Sequence, residues 1–335
     1  MSDLTERKKM INAILKDNVA FLGDEELDSD VTDVIPTKST LLDTALGGGI
    51  PTGRITEIIG EQAAGKTTVA LSIIRGFQEK YPKGRVTYID AERTFDKKRA
   101  QTIGVNTDEV LICYPDTIEE CAKIFWTEME LQEKDPAPFI GVVDTLVSLS
   151  TSSEFENKEK RFAGGMGDLA RTIRASMKPL LGHFAKHKAT LLVLNHVIAN
   201  LNPYAGGPES PGGSAIKFWS SVRINVRKSG WFKDPVTDQI IGITTKCKLV
   251  KNKVARPLLE AEFPISFKDG MEDDWGMFYY LHEIGKIPNK GAWYSLTNPA
   301  DGKEHKFMVK QFKEFVKENT WALPLMQQMV QEALK

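Results

Sequence analysis

Residues 60–67 limit the possible folds of this chain more than any other stretch. Their sequence, Gly-Glu-Gln-Ala-Ala-Gly-Lys-Thr, matches the phosphate-binding pattern G-x-x-x-x-G-K-[ST] at every fixed position. The apolar, β-branched run 54–59 before them predicts a buried strand, and the run 68–74 after them predicts a helix. The alternative is a plain glycine-rich turn before a helix. In a strand–loop–helix context, however, the loop can point several N–H groups at one anion, so we expect a nucleotide to contact Gly60, Glu61, Gln62, Ala63, Ala64, Gly65, Lys66 and Thr67.

Two loop residues and one aspartate predict how a triphosphate and its metal ion would be held. Lys66 would reach the β- and γ-phosphates, and the hydroxyl of Thr67 would bind Mg²⁺. Asp144 ends an apolar stretch at 139–144. Beside a phosphate-binding loop, such an aspartate is expected to hold the same ion, often through a water molecule.

Polar residues at two further strand ends are candidates for catalysis. Glu92 follows the strand predicted over 86–90, where a carboxylate can orient the attacking water or accept its proton. The alternative role for this residue is capping a helix. Asn195 and His196 close the strand predicted over 191–195, and a polar pair there can respond to the presence of a γ-phosphate.

Strands alternate with helices through the first two thirds of the chain, which predicts a mostly parallel sheet with helices on both faces. Strands are predicted over 54–59, 86–90, 110–113, 139–144 and 191–195, and helices over 41–46, 97–103, 118–133 and as one long helix within 166–187. Three later strands lack long helices between them and would extend the sheet as antiparallel hairpins: 221–226, 243–250 and 258–267. The fold class is therefore α/β, with a P-loop core.

Composition divides the chain into segments 1–30, 31–268 and 269–335, with net charges of −4, +5 and −2. The first joins a short amphipathic helix to an acidic linker. This helix must bury its apolar stripe either on its own chain or on a neighbouring subunit, and its local sequence does not distinguish the two. The last segment predicts a small α/β module with helices over 306–318 and 323–334. Any nucleic acid is expected to bind the positive middle segment.

Two irregular stretches follow strands that carry candidate site residues. The first, 150–165, interleaves basic residues with Phe155, Phe162 and glycines. This composition suits a phosphate backbone with partly unstacked bases, or else a solvated face. The second, 199–213, is rich in Gly, Pro and Asn and too long for a plain connection, so it is either a switch or a surface loop.

Lys248, Lys251 and Lys253 lie on and just beyond one predicted strand. Alternation along a strand would normally make them a solvent face. A lysine pair beyond the edge of the sheet could instead reach a nucleotide bound to a neighbouring subunit.

Several protein classes are excluded. No apolar run approaches the length of a membrane span, and the start MSDLTERKKM is too polar for a signal peptide. Three cysteines without C-x-x-C spacing fit a reducing cytoplasm and no structural zinc site. His183 and His187 are four residues apart on a predicted helix but have no third ligand nearby in the sequence, so we expect a solvent-facing pair and no metal site.

The P-loop is followed by Thr68, and further short stretches stand out along the chain: 42–47 (Leu-Asp-Thr-Ala-Leu-Gly), 88–92 (Tyr-Ile-Asp-Ala-Glu), 115–117, 142–145, 212–218, 221–223, 250–253, 261–263 and 291–295. In this order and spacing they resemble the bacterial and phage RecA family of strand-exchange recombinases, and the resemblance covers nearly the whole chain. Together they are specific, whereas the P-loop alone would indicate only an NTPase.

The resemblance implies an ATP-dependent, Mg²⁺-requiring recombinase in the cytoplasm of a bacterial cell or phage-infected host. Such a protein binds ssDNA, forms a helical homo-oligomeric filament and pairs the strand with homologous dsDNA, with DNA-stimulated ATP hydrolysis, in recombination and repair. The alternative is a RecA-fold ATPase that acts as a ring motor or regulatory switch without strand exchange.

The resemblance also implies residue roles. Glu92 would be the catalytic glutamate, acting with Lys66 and His196. The N-terminal helix would dock on the adjacent subunit. Further contacts to ATP would come from Thr68, from Asp96 and Phe267 at the adenine, and, across the subunit interface, from Lys251 and Lys253.

Two DNA-binding loops are implied at about 154–166 and 197–213. The residues expected at the DNA are Lys158, Lys160, Arg161, Phe162, Gly164, Met166, Arg171, Arg174, Asn200, Gly212, Gly213 and Ser214.

The chain departs from the family pattern at two site positions. His196 stands where bacterial members usually have Gln, and an imidazole can still hydrogen-bond a γ-phosphate. Arg99 stands where an aromatic side chain that stacks on adenine is expected, which leaves that contact open. Together with the compact N-terminus, these departures resemble a phage-encoded or divergent member.

Overall fold

A nine-stranded sheet dominates the part of the chain that the computed structural model describes, which is residues 3–16, 20–25, 27, 30–156, 166–197 and 215–334. In chain order the strands are β1 (Val34–Ile35), β2 (Ile50–Pro51), β3 (Ile55–Gly60), β4 (Arg85–Asp90), β5 (Val110–Cys113), β6 (Phe139–Asp144), β7 (Thr190–His196), β8 (Val222–Lys233), β9 (Ile240–Asn252), β10 (Glu260–Ser266), β11 (Gly270–Met271), β12 (Asn289–Lys290), β13 (Trp293–Thr297) and β14 (Glu304–Met308).

The helices begin and end largely where the capping residues of the sequence dictate. For example, the helix that starts at Ile118 has a capping box, in which Thr117 and Glu120 each accept a hydrogen bond from the other's backbone N–H. The helices are α1 (Asp3–Leu15), α2 (Thr40–Leu46), α3 (Lys66–Lys80), α4 (Lys97–Ile103), α5 (Ile118–Lys134), α6 (Ser152–Glu156), α7 (Met166–Met177), α8 (Leu180–Lys186), α9 (Ala215–Trp219), α10 (Asp273–Glu283), α11 (Phe312–Glu318) and α12 (Ala322–Leu334).

The strand order of the large sheet is β11-β10-β9-β8-β3-β7-β6-β4-β5. Neighbours from β8 to β5 run parallel, and β9, β10 and β11 extend the sheet by antiparallel pairing. The predicted mostly parallel sheet with an antiparallel extension is therefore confirmed. The register aligns the carboxyl ends of the central strands, with Gly60 opposite His196 and Asp90 opposite Asp144.

Successive side chains of the central strands point into two separate cores, as strand geometry requires. Val142 belongs to a cluster that includes Ile73 of α3, whereas Val143 belongs to a cluster that includes Phe125 of α5 and Phe184 of α8. Because both faces of the sheet are covered by helices, its strands read as continuous apolar runs.

The sequence predicted one long helix within 166–187. This prediction is wrong, because the structure has two helices there. The first, α7, ends at Met177, and α8 begins at Leu180 after Pro179. Proline lacks the N–H that a continuous helix needs and disfavours helical geometry at the residue before it.

The C-terminal segment also differs from its prediction. Residues 304–308, partly assigned to a helix from the sequence, form β14 against β13, and the helix starts only at Phe312. The sequence analysis missed α10, which packs with α12 against α2. The division at residue 268 remains a prediction.

The N-terminal helix leaves its apolar side chains uncovered. Leu4, Met10, Ile11, Ile14 and Leu15 are 41% to 74% exposed. The helix is tied to the following segment by an ion pair between Lys8 and Glu25 and by hydrogen bonds between Asn12 and Ala20. In the described part of this chain, therefore, no surface buries the stripe.

None of the described helices is both long enough and apolar enough to cross a membrane.

Candidate active site

The phosphate-binding loop leaves β3 at the carboxyl edge of the sheet and leads into α3. Two of its glycines stand where a side chain would not fit. A Cβ atom on Gly60 would lie 2.1 Å from the carbonyl oxygen of Val226, and Gly65 has a φ of +100° with a side-chain atom of Ile265 2.7 Å from where its Cβ would be. The start of α3 directs its free N–H groups into the loop, which therefore suits an anion.

The loop opens onto a cavity of about 660 Å³. The cavity brings the predicted loop residues together with the polar groups predicted at three other strand ends and with side chains of the antiparallel extension. Its lining consists of Gln62, Ala63, Gly65, Lys66, Thr67, Thr68, Glu92, Thr94, Arg99, Asp144, His196, Ile243, Ile265 and Phe267. Thr94, Ile243 and Ile265 were not predicted.

Lys66 is only 6% exposed and lies at the centre of the loop. Its ammonium group donates to the carbonyl oxygens of Gly60 at 3.0 Å and Glu61 at 2.8 Å, and its Nζ lies 3.5 Å from Nδ1 of His196. Burial lowers the pKa of Lys66, while the nearby carboxylates of Asp144 and Glu92 act in the opposite direction. The cation is thus held where phosphate oxygens would enter.

Asp144 and Thr67 form the predicted pair of metal-binding groups. The hydroxyl of Thr67 donates to Oδ2 of Asp144 at 3.0 Å, and the hydroxyl of Tyr88 donates to the same oxygen at 2.7 Å. Burial raises the pKa of Asp144, and these two hydrogen bonds oppose the shift. A hydroxyl and a carboxylate beside the P-loop are oxygen donors that fit Mg²⁺.

Glu92 is fixed by three polar side chains. Thr145 and Ser148 donate to its Oε1 at 3.0 and 3.2 Å, and Nε2 of His196 lies 3.0 Å from the same atom. Burial raises the pKa of Glu92, but the hydrogen bonds from His196, Thr145 and Ser148 outweigh it and leave the pKa lowered. The carboxylate is therefore ionised at neutral pH and can accept a proton.

A buried ion pair lies below His196, and the sequence analysis missed it. Asn195 donates to Oε1 of Glu57 at 2.8 Å, and Arg223 donates to Oε2 of Glu57 at 2.5 Å. Glu57 is fully buried in β3. The only signal in the sequence was a charged residue inside each of two apolar strands. The network connects β7, β3 and β8 directly behind the predicted phosphate sensor.

The far end of the cavity is formed by Arg99 and Phe267. The guanidinium of Arg99 donates to the carbonyl oxygens of Ser266, Phe267 and Lys268 at 2.5 to 2.9 Å. Asp96, predicted to contact adenine, is not part of the lining and instead caps α4 by accepting from the Arg99 N–H.

Lys251 and Lys253 lie away from their own chain's cavity. On β8, Arg223 is level with Lys251 of β9, and Val226 is level with Gly60 of β3. Measured along the strand direction, Lys251 and Gly60 are therefore about 10 Å apart. The ammonium of Lys251 donates to the carbonyl oxygens of Lys217 and Phe218 at 2.5 and 3.1 Å.

The predicted DNA-binding residues fall into two groups. Arg171 and Arg174 lie on α7, which Met166 begins, and both arginines line a cavity of about 530 Å³ with Lys178, Phe218 and Trp219. Arg171 also forms an ion pair with Asp168 at 2.9 Å. Outside the described residues lie Lys158, Lys160, Arg161, Phe162, Gly164, Asn200, Gly212, Gly213 and Ser214.

His183 and His187 do not form the solvent-facing pair that was expected from the sequence. Glu133, fifty residues earlier on α5, brings a carboxylate oxygen to within 4.8 Å of nitrogen atoms of both rings. The pair is partly buried and does not simply face solvent. Sequence spacing could not reveal this group because it depends on how α5 packs against α8.

Comparison with known proteins decides the family. Residues 5–272 match the family model of the RecA N-terminal domain. The chain belongs to the RecA family. It is 36% identical over 335 residues to a protein named Protein RecA from Syntrophus aciditrophicus, covering 95% of this chain and 93% of that relative. A Protein RecA from Bacillus subtilis is 35% identical over 324 residues, covering 95% and 87%, and one from Symbiobacterium thermophilum is 37% identical over 289 residues, covering 84% and 78%.

The RecA assignment explains the combination of features described above. The fold is a RecA-type α/β core, and the protein is a DNA-dependent ATPase. The protein is a RecA-type recombinase that acts in DNA recombination and repair, and the resemblance found in the sequence is confirmed.

Proposed function

We propose that the chain assembles on ssDNA as a helical filament, pairs the bound strand with homologous dsDNA, and uses ATP with Mg²⁺ both to hold adjacent subunits together and to release them. The observation that supports this proposal is that neither Lys251 nor Lys253 lines the cavity beside the P-loop of its own chain. Lys251 is level with Arg223 of β8, about 10 Å along the strand direction from Val226, which is level with Gly60.

Within one subunit, Lys66 and the loop N–H groups would bind the triphosphate. Thr67 and Asp144 would hold Mg²⁺, which supplies positive charge to the β- and γ-phosphate oxygens. The cavity of about 660 Å³ is large enough for a nucleotide, and Phe267 offers an aromatic face at its far end.

Hydrolysis would begin at Glu92. Its ionised carboxylate orients a water molecule and accepts its proton as the water oxygen bonds to the γ-phosphorus and the bond to the leaving oxygen of ADP breaks. The contact between Glu92 and His196 offers a route for regulation, since a γ-phosphate that hydrogen-bonds His196 would compete for this imidazole. His196 leads directly into 197–213, the second proposed DNA-binding loop.

DNA contact is supported by the surface between α7 and α9. Arg171, Arg174 and Lys178 supply positive charge there, and Phe218 and Trp219 supply aromatic faces. Cations combined with aromatic side chains suit single-stranded nucleic acid, because phosphates and exposed bases can be contacted together. The loops at 154–166 and 197–213 would complete the surface.

The central test replaces Glu92 with glutamine. Glu92→Gln keeps the size and hydrogen-bonding capacity of the side chain but removes the base, so ssDNA-stimulated ATP hydrolysis should fall about 100-fold or more. Filaments on ssDNA should still form with ATP and should dissociate slowly. The matched control is Glu109→Gln, which alters an exposed glutamate outside the cavity.

Two results would contradict the proposal. If Glu92→Gln hydrolyses ATP at the wild-type rate, Glu92 is not the general base for the attacking water. Hydrolysis that ssDNA does not stimulate, together with no filaments by electron microscopy in the presence of ATP, would favour a ring motor or regulatory switch without strand exchange.

A further inference from the structure

The ends of α5 and α8 bring together three side chains of the types that bind metal ions. Glu133 stands in the last turn of α5, His183 lies on α8, and His187 is the residue that caps the end of α8. One ligand atom from each residue lies within 4.8 Å of the others. None of the three lines the nucleotide cavity.

The two imidazole rings are held in place by their surroundings. The rings stack with centroids 6.2 Å apart and an angle of 15° between their planes, and His183 also packs edge-on against Trp126 at 4.8 Å. Two histidines separated by four residues on one helix project from the same face, so both can reach one ion.

His187 provides an independent reason to expect a ligand. Its side chain is 13% exposed, and its Nε2 is buried without a hydrogen-bond partner in the described part of the chain. This atom lies 3.7 Å from Oε1 of Glu133. A buried polar nitrogen is normally paired, and a bound ion between the two groups would satisfy it.

One cation lies beside the carboxylate of the cluster. Lys186 lies 3.9 Å from the same oxygen of Glu133 and would have to turn towards solvent as an ion enters.

We propose that Glu133, His183 and His187 form a Zn²⁺-binding site that joins α5 to α8. Two imidazoles and one carboxylate are a donor set that zinc accepts, with water completing a tetrahedral arrangement. The site would stabilise the end of α8 just before β7, the strand that ends at Asn195 and His196. The inference does not depend on the proposed function.

The test is a titration of the EDTA-treated full-length protein with Zn²⁺ by calorimetry, without nucleotide. Wild type should bind one ion per chain, and Zn²⁺ should raise its unfolding temperature. Glu133→Gln, which changes a half-exposed residue and should not impair folding, and His187→Gln should each weaken zinc binding about tenfold or more. His305→Gln, a substitution on β14 outside the cluster, should bind as wild type does.

The proposal is overturned if the wild-type protein does not bind one Zn²⁺ ion per chain. It is equally overturned if Glu133→Gln and His187→Gln bind zinc as tightly as wild type, because the ion would then sit on other groups, such as the cysteine thiols.

Discussion

Arg99 occupies the end of the nucleotide cavity where the RecA family resemblance predicts an aromatic side chain. Three backbone carbonyl oxygens of the β10–β11 turn hold its guanidinium beside Phe267. A guanidinium group is planar and can stack on a base, which a lysine ammonium cannot do. We therefore propose that Arg99 contacts the base in place of the expected aromatic side chain.

Replacing Arg99 by alanine should weaken ATP binding roughly fivefold, as expected for the loss of about 1 kcal/mol from a stacked guanidinium. Arg99→Lys should not restore it, because an ammonium group cannot stack on the base. Fluorescence titration with a labelled ATP analogue measures the effect. Lys98→Ala, an exposed change one residue earlier on the same helix, is the control. Unchanged affinity in Arg99→Ala would show that the base is held elsewhere.

At the scale of single elements, two acidic residues lie where α2 approaches α10. The backbone N–H and hydroxyl of Thr40 donate to Asp273 at the start of α10, and Asp43 of α2 accepts from the N–H of Thr37 at 2.7 Å. Burial raises the pKa of Asp43 from 3.8 to about 7, with the charge of Asp273 adding to the shift and Lys38 opposing it.

This raised pKa makes stability depend on pH. Between about pH 4 and pH 7 the folded chain keeps a proton on Asp43 that the unfolded chain has lost, so stability falls as pH rises through this range. In Asp43→Asn this contribution is absent, and the melting temperature should decline less from pH 5 to pH 8 than in wild type. Circular dichroism measures the melting temperature, with the exposed Asp301→Asn as control. If the melting temperatures of Asp43→Asn and wild type decline equally from pH 5 to pH 8, Asp43 is not the source of the pH dependence.

The elements that the sequence predicted correctly are those whose signal is local. The P-loop, Glu92 and Asp144 follow apolar strands directly, so strand ends placed them at one edge of the sheet. The ion pair of Glu57 with Arg223 could not be predicted because it depends on β8 lying next to β3, and 166 residues separate its partners. The position of Glu133 beside His183 and His187 could not be predicted for the same reason, because it depends on how α5 packs against α8. The sequence analysis missed α10 because this helix lacks a clear amphipathic pattern.

At the scale of the whole molecule, the proposed filament depends on Lys251 and Lys253 completing a neighbour's nucleotide site. A chain with both lysines changed to alanine should bind ATP as a monomer with unchanged affinity, yet lose ATP-dependent assembly and ssDNA-stimulated hydrolysis. Lys66→Ala should also lose both, but because its own loop no longer binds the triphosphate.

Mixing these two variants tests the shared site directly. In random co-assembly about a quarter of the interfaces would pair an intact loop with intact lysines, so ATP hydrolysis on ssDNA should reappear in the mixture although neither variant is active alone. A mixture that stays inactive would indicate that each subunit completes its own site. Light scattering follows the assembly and a phosphate-release assay follows the hydrolysis.

The position of Lys251 on β9, outside the cavity of its own chain, has a further consequence for the proposed polymer. Unlike surfaces would meet at every junction, so the assembly has no two-fold symmetry and its two ends differ chemically. At one end of the filament, the bound nucleotide would lack contacts from a neighbour's lysines. At the other end, the lysines would have no neighbouring nucleotide to contact. Growth and loss of subunits should therefore proceed at different rates at the two ends, which gives the filament a direction along its strand.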